Sequence, residues 1–348
     1  MLNNLEFSST VGERRLYSLV ALILALLTVM SVITFVVVCL PSAGVSSSGI
    51  VVPPSDETPG GSENPEVPSY PKVENWINSN DLSGCMIEVG QSAEDMLDIN
   101  SNAAILVNME SLLALGVKNA DKQVQIASMT KVMTLITALD LIETNDQMYE
   151  KVTIPQSYID SLKGYNKAFK AGDEVYVVDL LYSLILRSGC DSALALADHL
   201  AGGEAAFVQK MNALAAEIGC ENTKFSNSYG RDDVNNYSTV REVGQIFLYA
   251  LKNELAYKIL TTAKYKYYGT EYDYIYSESL VHNNFSGKNT GKVTVLGGKS
   301  GNDAEAGYCL VSFGKTENGE KYLVVTAGNK KDASSYTDSA YIYKNYVN

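Results

Sequence analysis

The chain has 348 residues, 46% of them hydrophobic and 19% charged, a composition typical of a globular protein with a sizeable core. Its formal net charge of −13 disfavours nucleic acid and anionic lipid as partners bound through bulk electrostatics. The two histidines and five cysteines show neither metal-ligand spacing nor a disulfide framework, so we expect no metal and no cofactor.

The N-terminal part contains one long apolar stretch. Residues 16–40 carry no charged side chain. As a helix they would be about 37 Å long, enough to cross a bilayer with some tilt. The apolar region of a signal peptide is shorter, usually about 7–15 residues, which favours an uncleaved anchor. Arg14 and Arg15 precede the stretch, and the next basic residue is Lys72.

The positive-inside rule then predicts a cytoplasmic segment at 1–15, a single-pass anchor in the cell membrane at 16–40, and an extracytoplasmic remainder. Residues 41–72 are rich in Ser, Pro, Gly and Glu, with little apolar surface to bury, which predicts a disordered linker. The folded domain is therefore expected at 73–348.

Ser128 and Lys131 stand three residues apart at the start of an apolar, helix-like run that ends near Glu143. Residues at this spacing share one face of a helix, so the amine can reach the hydroxyl. A lysine with a lowered pKa can activate a serine nucleophile, and a backbone N–H at a helix N-terminus can bind an oxyanion. A helix cap would explain Ser128 but not a lysine in so apolar a helix.

A second copy of this pattern, Ser312 to Lys315, lies in a stretch of strand character. Side chains three apart on a strand face opposite ways, so this copy is not expected to form a site.

Two further motifs follow the first. Ser188-Gly189-Cys190 lies between two helix-like segments, where an ordinary helix–turn–helix is the alternative interpretation. Lys299-Ser300-Gly301 ends a β-branched strand, and two more strand-like segments, 306–313 and 321–326, predict an antiparallel meander. A lysine and a serine beside glycines on a sheet edge suit an extended peptide whose carboxylate the lysine binds, although a glycine-turn hairpin is the alternative.

The two histidines and the missing nucleophile motif argue against a Ser-His-Asp hydrolase. His199 fits a helical pattern and is expected to be structural, whereas His282 is the better candidate to line a cleft. The G-x-S-x-G elbow of Ser-His-Asp hydrolases is absent. We therefore expect metal-free serine–lysine chemistry. The tyrosine-rich stretch 257–276 is expected to be exposed amphipathic surface.

The three motifs, in this order and at these separations, resemble those of the penicillin-recognising serine enzymes. Flanking sequence narrows the resemblance to the low-molecular-mass penicillin-binding proteins, the serine-type D-alanyl-D-alanine carboxypeptidases. It covers residues from about 103 to 348, and the supporting blocks are 127–134, 191–197, 207–212, 223–227 and 306–310. The resemblance implies the α/β fold of β-lactamases and penicillin-binding proteins. In that fold an antiparallel sheet from both ends of the sequence is flanked by helices, with a mainly helical lobe beside it.

The resemblance also implies roles in catalysis. Ser128 would attack the penultimate D-Ala carbonyl of a peptidoglycan pentapeptide, form an acyl-enzyme and release the terminal D-Ala. Lys131 would act as the general base, and Ser188 would relay a proton to the leaving nitrogen. β-Lactams would acylate Ser128 and inhibit the enzyme.

The remaining motif residues would bind the substrate. Lys299 and Ser300, followed by Gly301, would hold the terminal carboxylate, and Cys190 would contact the backbone of the acyl donor. The backbone N–H of Asn302 would complete the oxyanion hole with that of Ser128.

Four features depart from the family pattern. Ser300 stands where Thr is commoner, a mild change because the hydroxyl is kept. Cys190 stands where most relatives carry Asn, and a thiol is a weak hydrogen-bonding group. Asp303 brings negative charge close to the expected carboxylate site. No arginine follows Arg241, so Lys330 or Lys331 would have to replace the arginine that many relatives use.

These departures keep two alternatives open. One is a DD-transpeptidase, which hands the acyl group to an amine. The other is a weakly catalytic penicillin-binding protein that binds or senses the wall. A β-lactamase is disfavoured, because no deacylating Glu is found in an E-x-x-L-N context.

Overall fold

The computed structural model describes residues 85–268, 275–276, 284–331 and 334–347. All of them lie within one compact unit, Pro65–Asn348. The predicted N-terminal segment, anchor and linker, and also His282, lie outside the described residues. Across the described ranges, no helix is both long enough and apolar enough to cross a membrane.

The centre of the fold is a six-stranded sheet with strand order β1-β3-β2-β10-β9-β8. The strands in chain order are β1 (Glu94–Asp95), β2 (Ala103–Asn108), β3 (Ala114–Lys118), β4 (Lys151–Thr153), β5 (Glu174–Tyr176), β6 (Lys264–Tyr265), β7 (Ile275–Tyr276), β8 (Thr294–Asp303), β9 (Gly307–Lys315) and β10 (Lys321–Asn329). Strands from both ends of the described chain meet where β10 pairs with β2, and β8, β9 and β10 form the predicted meander.

The sheet is antiparallel as expected except at one edge. The two-residue strand β1 pairs parallel to β3, so the sheet is mixed. After β1 the chain first forms β2, which runs antiparallel to β3, and β3 then runs in the same direction as β1 and pairs with it.

Helices cover both faces of the sheet and build a lobe beside it. They are α1 (Thr130–Leu141), α2 (Gln156–Ser161), α3 (Val177–Leu186), α4 (Cys190–Ala201), α5 (Glu204–Glu217), α6 (Val240–Lys252), α7 (Glu254–Thr261) and α8 (Ser334–Tyr346). Every residue of α1 from Thr130 to Leu139 is buried, so α1 is a central helix rather than an amphipathic surface helix. This burial accounts for the predominance of apolar side chains in its sequence.

The alternation of side chains along the strands divides the core into two clusters. Ile105 and Val107 of β2 face the larger cluster, which includes α6 and the helical lobe. Leu106, between them, faces a smaller cluster under α8. Full burial of one such side chain contributes about 1.5–3 kcal/mol. Both faces of the sheet are therefore held by helices, and the larger cluster ties the sheet to α1.

The tyrosine-rich stretch packs inward where it is described, so the expectation of exposed surface is wrong there. The ring of Tyr265 stacks on that of Tyr182 in α3, with centroids 3.6 Å apart. Tyr267 is 3% exposed. These rings supply packing area to the helical lobe.

Candidate active site

Ser128 lies in a tight turn at the entrance to α1. Residues Ala127–Met129 form one turn of 3₁₀ helix, and α1 begins only at Thr130, two residues later than the sequence pattern predicts. Ala127 adopts a left-handed conformation with φ of 44°, which is uncommon for a residue other than glycine. The strained turn lifts Ser128 out of the regular helix.

Two glycines hold this turn from outside. A Cβ atom at Gly230 would lie 2.0 Å from the carbonyl oxygen of Ala127, and one at Gly301 would lie 2.7 Å from that of Ile126. Neither distance is compatible with a side chain. The backbone of β8 and the loop around Gly230 can therefore approach Ser128 only because both positions lack a Cβ atom.

Lys131 is one helical turn from Ser128, and its amine is in direct contact with the hydroxyl. The Nζ atom lies 2.9 Å from Ser128 Oγ, 2.6 Å from the carbonyl oxygen of Tyr229 and 3.4 Å from Cys190 Sγ. The side chain is 0% exposed. Burial lowers the pKa of Lys131, and interactions with Cys190 and Asp191 oppose this effect. The amine therefore loses its proton more readily than an ordinary lysine, as a base requires.

Ser188 occupies the turn between α3 and α4, where its φ of 53° is again left-handed. The predicted helix–turn–helix is present, and it also brings Ser188 to the site. Lys299 Nζ donates to Ser188 Oγ at 3.1 Å and to the carbonyl oxygen of Ser300 at 2.7 Å. Burial, together with the charge of Lys131, moves the pKa of Lys299 well below its usual range. The structure thus unites the three motifs around two buried amines.

Asn302 follows the glycine that touches the Ser128 turn. A Cβ atom at Gly301 would lie 2.9 Å from the backbone nitrogen of Ser128, so the two backbones are adjacent. Strand β8 is an edge strand of the described sheet, where alternate backbone N–H groups face away from β9. This arrangement suits a ligand that pairs with β8 and places a carbonyl oxygen near both backbones.

Lys299 and Ser300 point to opposite faces of the sheet. Lys299 lies opposite Val311 on the face of the helical lobe, and Ser300 lies opposite Leu310 on the face of α8. Ser300 is half-buried on that face. The Lys299 side chain therefore faces the helical lobe, and the Ser300 side chain faces α8.

The charged residues near this motif are engaged in turns. Asp303 Oδ1 accepts the N–H groups of Glu305 at 3.0 Å and Ala306 at 2.6 Å, which closes the β8–β9 turn. Lys330 Nζ donates to the carbonyl oxygen of Glu305 at 2.6 Å. Lys331 Nζ donates to Asn100 Oδ1 at 2.8 Å, so we do not assign the substrate carboxylate to either lysine.

The loop from Asn227 to Asn236 supports Lys131, and the motifs did not predict this. Asn227 Oδ1 accepts the backbone N–H groups of Gly230 and Arg231, each at 2.8 Å, and Asn236 Nδ2 donates to Thr130 Oγ1 at 3.1 Å. This network fixes the carbonyl of Tyr229 against the Lys131 amine. The block 223–227 pointed to this loop, but no residue pattern indicated its contact with Lys131.

Other candidates lie apart from this constellation. His199 Nε2 lies 2.8 Å from Glu150 Oε2, within hydrogen-bonding distance, in keeping with a structural role. Ser312 of the second Ser-x-x-Lys copy is buried under α8 beside Tyr343, with hydroxyl oxygens 3.1 Å apart. Its contacts are those of a core residue, as the strand pattern predicts.

A comparison with protein families matches residues 89–330 to a family described as D-alanyl-D-alanine carboxypeptidase. The chain belongs to this family. The sequence is 35% identical over 216 residues to the D-alanyl-D-alanine carboxypeptidase of Streptomyces sp. (strain K15), covering 59% of this chain and 73% of that protein. It is 29% identical over 231 residues to D-alanyl-D-alanine carboxypeptidase DacF of Bacillus subtilis (strain 168), covering 65% of this chain and 57% of the relative.

Solved structures in the family share the fold. The Streptomyces K15 DD-transpeptidase superposes with a TM-score of 0.63 and 29% identity, covering 71% of this chain and 97% of that one. Penicillin binding protein 5 from Haemophilus influenzae superposes with a TM-score of 0.62 and 26% identity, covering 70% of each chain. The penicillin-binding-protein fold expected from the motifs is confirmed. Because this chain spans less than two thirds of the Bacillus relative, family membership is established for the matched domain.

Proposed function

We propose that this protein is a serine-type D-Ala-D-Ala carboxypeptidase that removes the terminal D-Ala from peptidoglycan stem peptides. The observation that carries the proposal is the contact of the buried Lys131 amine with Ser128 Oγ at 2.9 Å. A nucleophile within hydrogen-bonding distance of a buried base is the arrangement that acyl transfer by serine requires. The comparisons support this proposal through the names of the relatives.

In the proposed acylation, Lys131 Nζ takes the proton from Ser128 Oγ as the oxygen attacks the penultimate D-Ala carbonyl carbon. The new C–O bond puts negative charge on the carbonyl oxygen, which accepts hydrogen bonds from the N–H groups of Ser128 and Asn302. Each such donor stabilises the transition state by roughly 3–4 kcal/mol. The C–N bond then breaks, and the proton passes through Ser188 to the leaving amine.

Deacylation completes the cycle. Water attacks the ester on Ser128 with Lys131 again as the base, which releases the shortened peptide and restores the hydroxyl. Lys299, 3.1 Å from Ser188, supports the relay and contributes positive potential toward the terminal carboxylate. A β-lactam would enter the same path and remain as a slowly hydrolysed ester.

One observation favours transpeptidation as a second candidate. Cys190 lies 3.4 Å from the Lys131 amine, where a thiol provides a weaker hold on the acyl donor than an amide would. Structures of the Streptomyces K15 enzyme, named a DD-transpeptidase, include variants of a serine and of a cysteine two positions after it. That is the spacing of Ser188 and Cys190. An amine acceptor would then replace water in the second step.

We also propose that residues 16–40 anchor the protein in the cell membrane with the catalytic domain outside. The uncharged stretch and the flanking arginines Arg14 and Arg15 support this. Full-length protein should remain with membranes through an alkaline wash, and replacing Leu26 and Leu27 by Arg should release it, because each charge at a bilayer centre costs about 2.5–3.5 kcal/mol. Retention of the arginine variant on washed membranes would contradict the anchor.

The decisive experiment uses the full chain in detergent beside Ser128→Ala. Fluorescent penicillin should label the wild type, and a peptide ending in D-Ala-D-Ala should release D-Ala; both should be lost in the variant. Adding an amine acceptor separates the candidates, because free D-Ala without a cross-linked product indicates hydrolysis and a cross-linked product indicates transfer. Labelling with no release of D-Ala under either condition would indicate a wall-binding or sensing protein.

A further inference from the structure

Ser228 is fixed through its backbone N–H, its hydroxyl and its carbonyl group. The N–H and the hydroxyl both donate to Glu204 Oε1, at 2.9 Å and 2.8 Å. The carbonyl oxygen accepts the hydroxyl of Thr134 on α1. Ser228 and Thr134 are both 0% exposed. Helix α5, which begins at Glu204, and helix α1 therefore hold this residue from two directions.

The residue after Ser228 contacts the catalytic base. The carbonyl oxygen of Tyr229 lies 2.6 Å from Lys131 Nζ. Asn227 Oδ1 accepts the N–H of Gly230 at 2.8 Å, but Asn227 belongs to the same loop, so this bond fixes the shape of the loop and not its position. The bonds of Ser228 to α5 and α1 attach the loop to two helices. A shift of Ser228 would therefore carry the Tyr229 carbonyl away from the amine.

The Tyr229 carbonyl orients the neutral Lys131 amine. A neutral amine has two hydrogens and one lone pair, and it acts as a base only through the lone pair. Its three contacts are this carbonyl oxygen at 2.6 Å, Cys190 Sγ at 3.4 Å and Ser128 Oγ at 2.9 Å. A carbonyl oxygen only accepts, so it takes one hydrogen, and the sulfur, a weak acceptor, takes the second. The lone pair is then directed to the Ser128 hydroxyl.

We propose that Glu204 is a positioning residue for Lys131, the general base, and that it acts through the segment 228–229. The inference rests on the proposed function, because it requires the neutral Lys131 amine to take the proton of Ser128. Glu204 Oε1 accepts two hydrogen bonds, and an amide oxygen has the lone pairs to do the same. The role therefore depends on the acceptor oxygen and not on the charge of Glu204.

The charge of Glu204 has a separate effect, on the pH dependence. Burial raises the pKa of the Tyr158 and Tyr229 phenols, and the charge of Glu204 raises both further, so both keep their protons at neutral pH. Removing that charge disfavours the protonated Lys131 amine and should move the midpoint of the pH–rate profile to lower pH. The plateau at high pH, where the amine is neutral in every variant, reports its orientation instead. The other titratable groups facing Glu204, Tyr229 or Lys131 are Tyr158, Cys190, Asp191, Asp198, Arg231 and Lys299.

The test measures acylation of the full-length protein by fluorescent penicillin across pH in a stopped-flow instrument. Glu204→Ala should lower the plateau rate about ten- to hundredfold, because the displaced base loses its alignment. Glu204→Gln, which keeps the acceptor oxygen, should stay within about twofold of the wild-type plateau while its midpoint moves to lower pH. Ser228→Ala, which removes only the hydroxyl bond and disturbs folding less, should lower the plateau by a smaller factor than Glu204→Ala.

The matched control is Asp338→Ala on α8. Asp338 Oδ2 accepts the N–H and the hydroxyl of Ser101, at 2.7 Å and 2.6 Å, in the same pattern but outside the site. This variant should lower Tm and change neither the plateau nor the midpoint. In the Lys131→Met background, Glu204→Ala should cause no further loss of rate, because both act through one amine.

An unchanged plateau in Glu204→Ala and Ser228→Ala would overturn the inference. A glutamine variant as slow as the alanine variant, an equal plateau loss in Asp338→Ala, or additive losses with Lys131→Met would also overturn it. If the wild type is acylated but releases no D-Ala, the carboxypeptidase proposal fails while the plateau rates still decide on Glu204. If the wild type is not acylated, both fall.

Discussion

Lys299 Nζ lies 3.1 Å from Ser188 Oγ, although 111 residues separate the two in sequence. The contact joins the edge strand of the sheet to the turn between two helices of the lobe. Together with the contact of Lys131 and Ser128 it joins two buried amines to the buried Ser188 hydroxyl and the half-buried Ser128 hydroxyl.

Lys131→Met should reduce the rate of labelling by fluorescent penicillin by about 10²–10⁴-fold, because Ser128 then lacks its base. The methionine keeps an unbranched side chain of similar length in the apolar surroundings. Lys315→Met, in the second Ser-x-x-Lys copy at the end of β9, is the matched control and should label at the wild-type rate. Near wild-type labelling of Lys131→Met would refute the role of this amine.

The labelling rate should rise with pH and level off below the ordinary lysine range. Only the neutral amine can accept the Ser128 proton, and burial lowers the pKa of Lys131. A stopped-flow series across pH measures this directly. A rate that falls as the pH rises from 5 to 10, about the range over which an ordinary lysine stays charged, would contradict activation by the neutral Lys131 amine.

The same shift makes a prediction for stability. Unfolding restores the ordinary lysine pKa, about 10.4, so between the lowered folded pKa and this value the unfolded state binds more protons. The free energy of unfolding should therefore rise with pH across that window, and Lys131→Met should lose this part of the rise. Urea unfolding at several pH values gives the comparison. Lys299, whose pKa is also lowered, contributes with the same sign and remains in both proteins.

Cys190→Ala should move the pH–rate profile of labelling to lower pH. The thiol, 3.4 Å from the amine, raises the pKa of Lys131 against the effect of burial, and its removal leaves burial less opposed. Cys220→Ala, which removes a buried thiol outside the site, should leave the profile unchanged. A shift to higher pH in Cys190→Ala would contradict this assignment.

Gly230→Ala should both destabilise the protein and slow labelling. The position has φ of 78°, and a Cβ atom would lie 2.0 Å from the Ala127 carbonyl oxygen, which displaces the Ser128 turn. Gly164→Ala is the matched control, since φ is 85° and no atom lies within 4 Å. We expect the control to lose about 1 kcal/mol from backbone strain alone, and Gly230→Ala to lose about 1–3 kcal/mol more. Thermal unfolding reports the backbone strain in each variant, and the labelling rate reports displacement of the Ser128 turn. If the two variants lose equal stability and label at equal rates, the close contact at Gly230 does not position Ser128.

The residue patterns alone predicted the meander and the nucleophile–base pair. Strands β8 to β10 are consecutive and joined by short turns, so their pairing is local in sequence. Ser128 and Lys131 are one helical turn apart, which sets their contact without any long-range information. The remaining site residues, Ser188 and Lys299 among them, came from the order of motifs and their resemblance to a family.

The tertiary structure decided how those motifs meet and what surrounds them. The contact of the Tyr229 carbonyl with Lys131 involves a residue without a recognisable pattern, because packing between distant segments creates it. The depth of burial that lowers both lysine pKa values is also a property of the assembled fold. Sequence spacing carries local geometry, whereas desolvation and long-range contacts exist only once the sheet and the helical lobe have closed around the site.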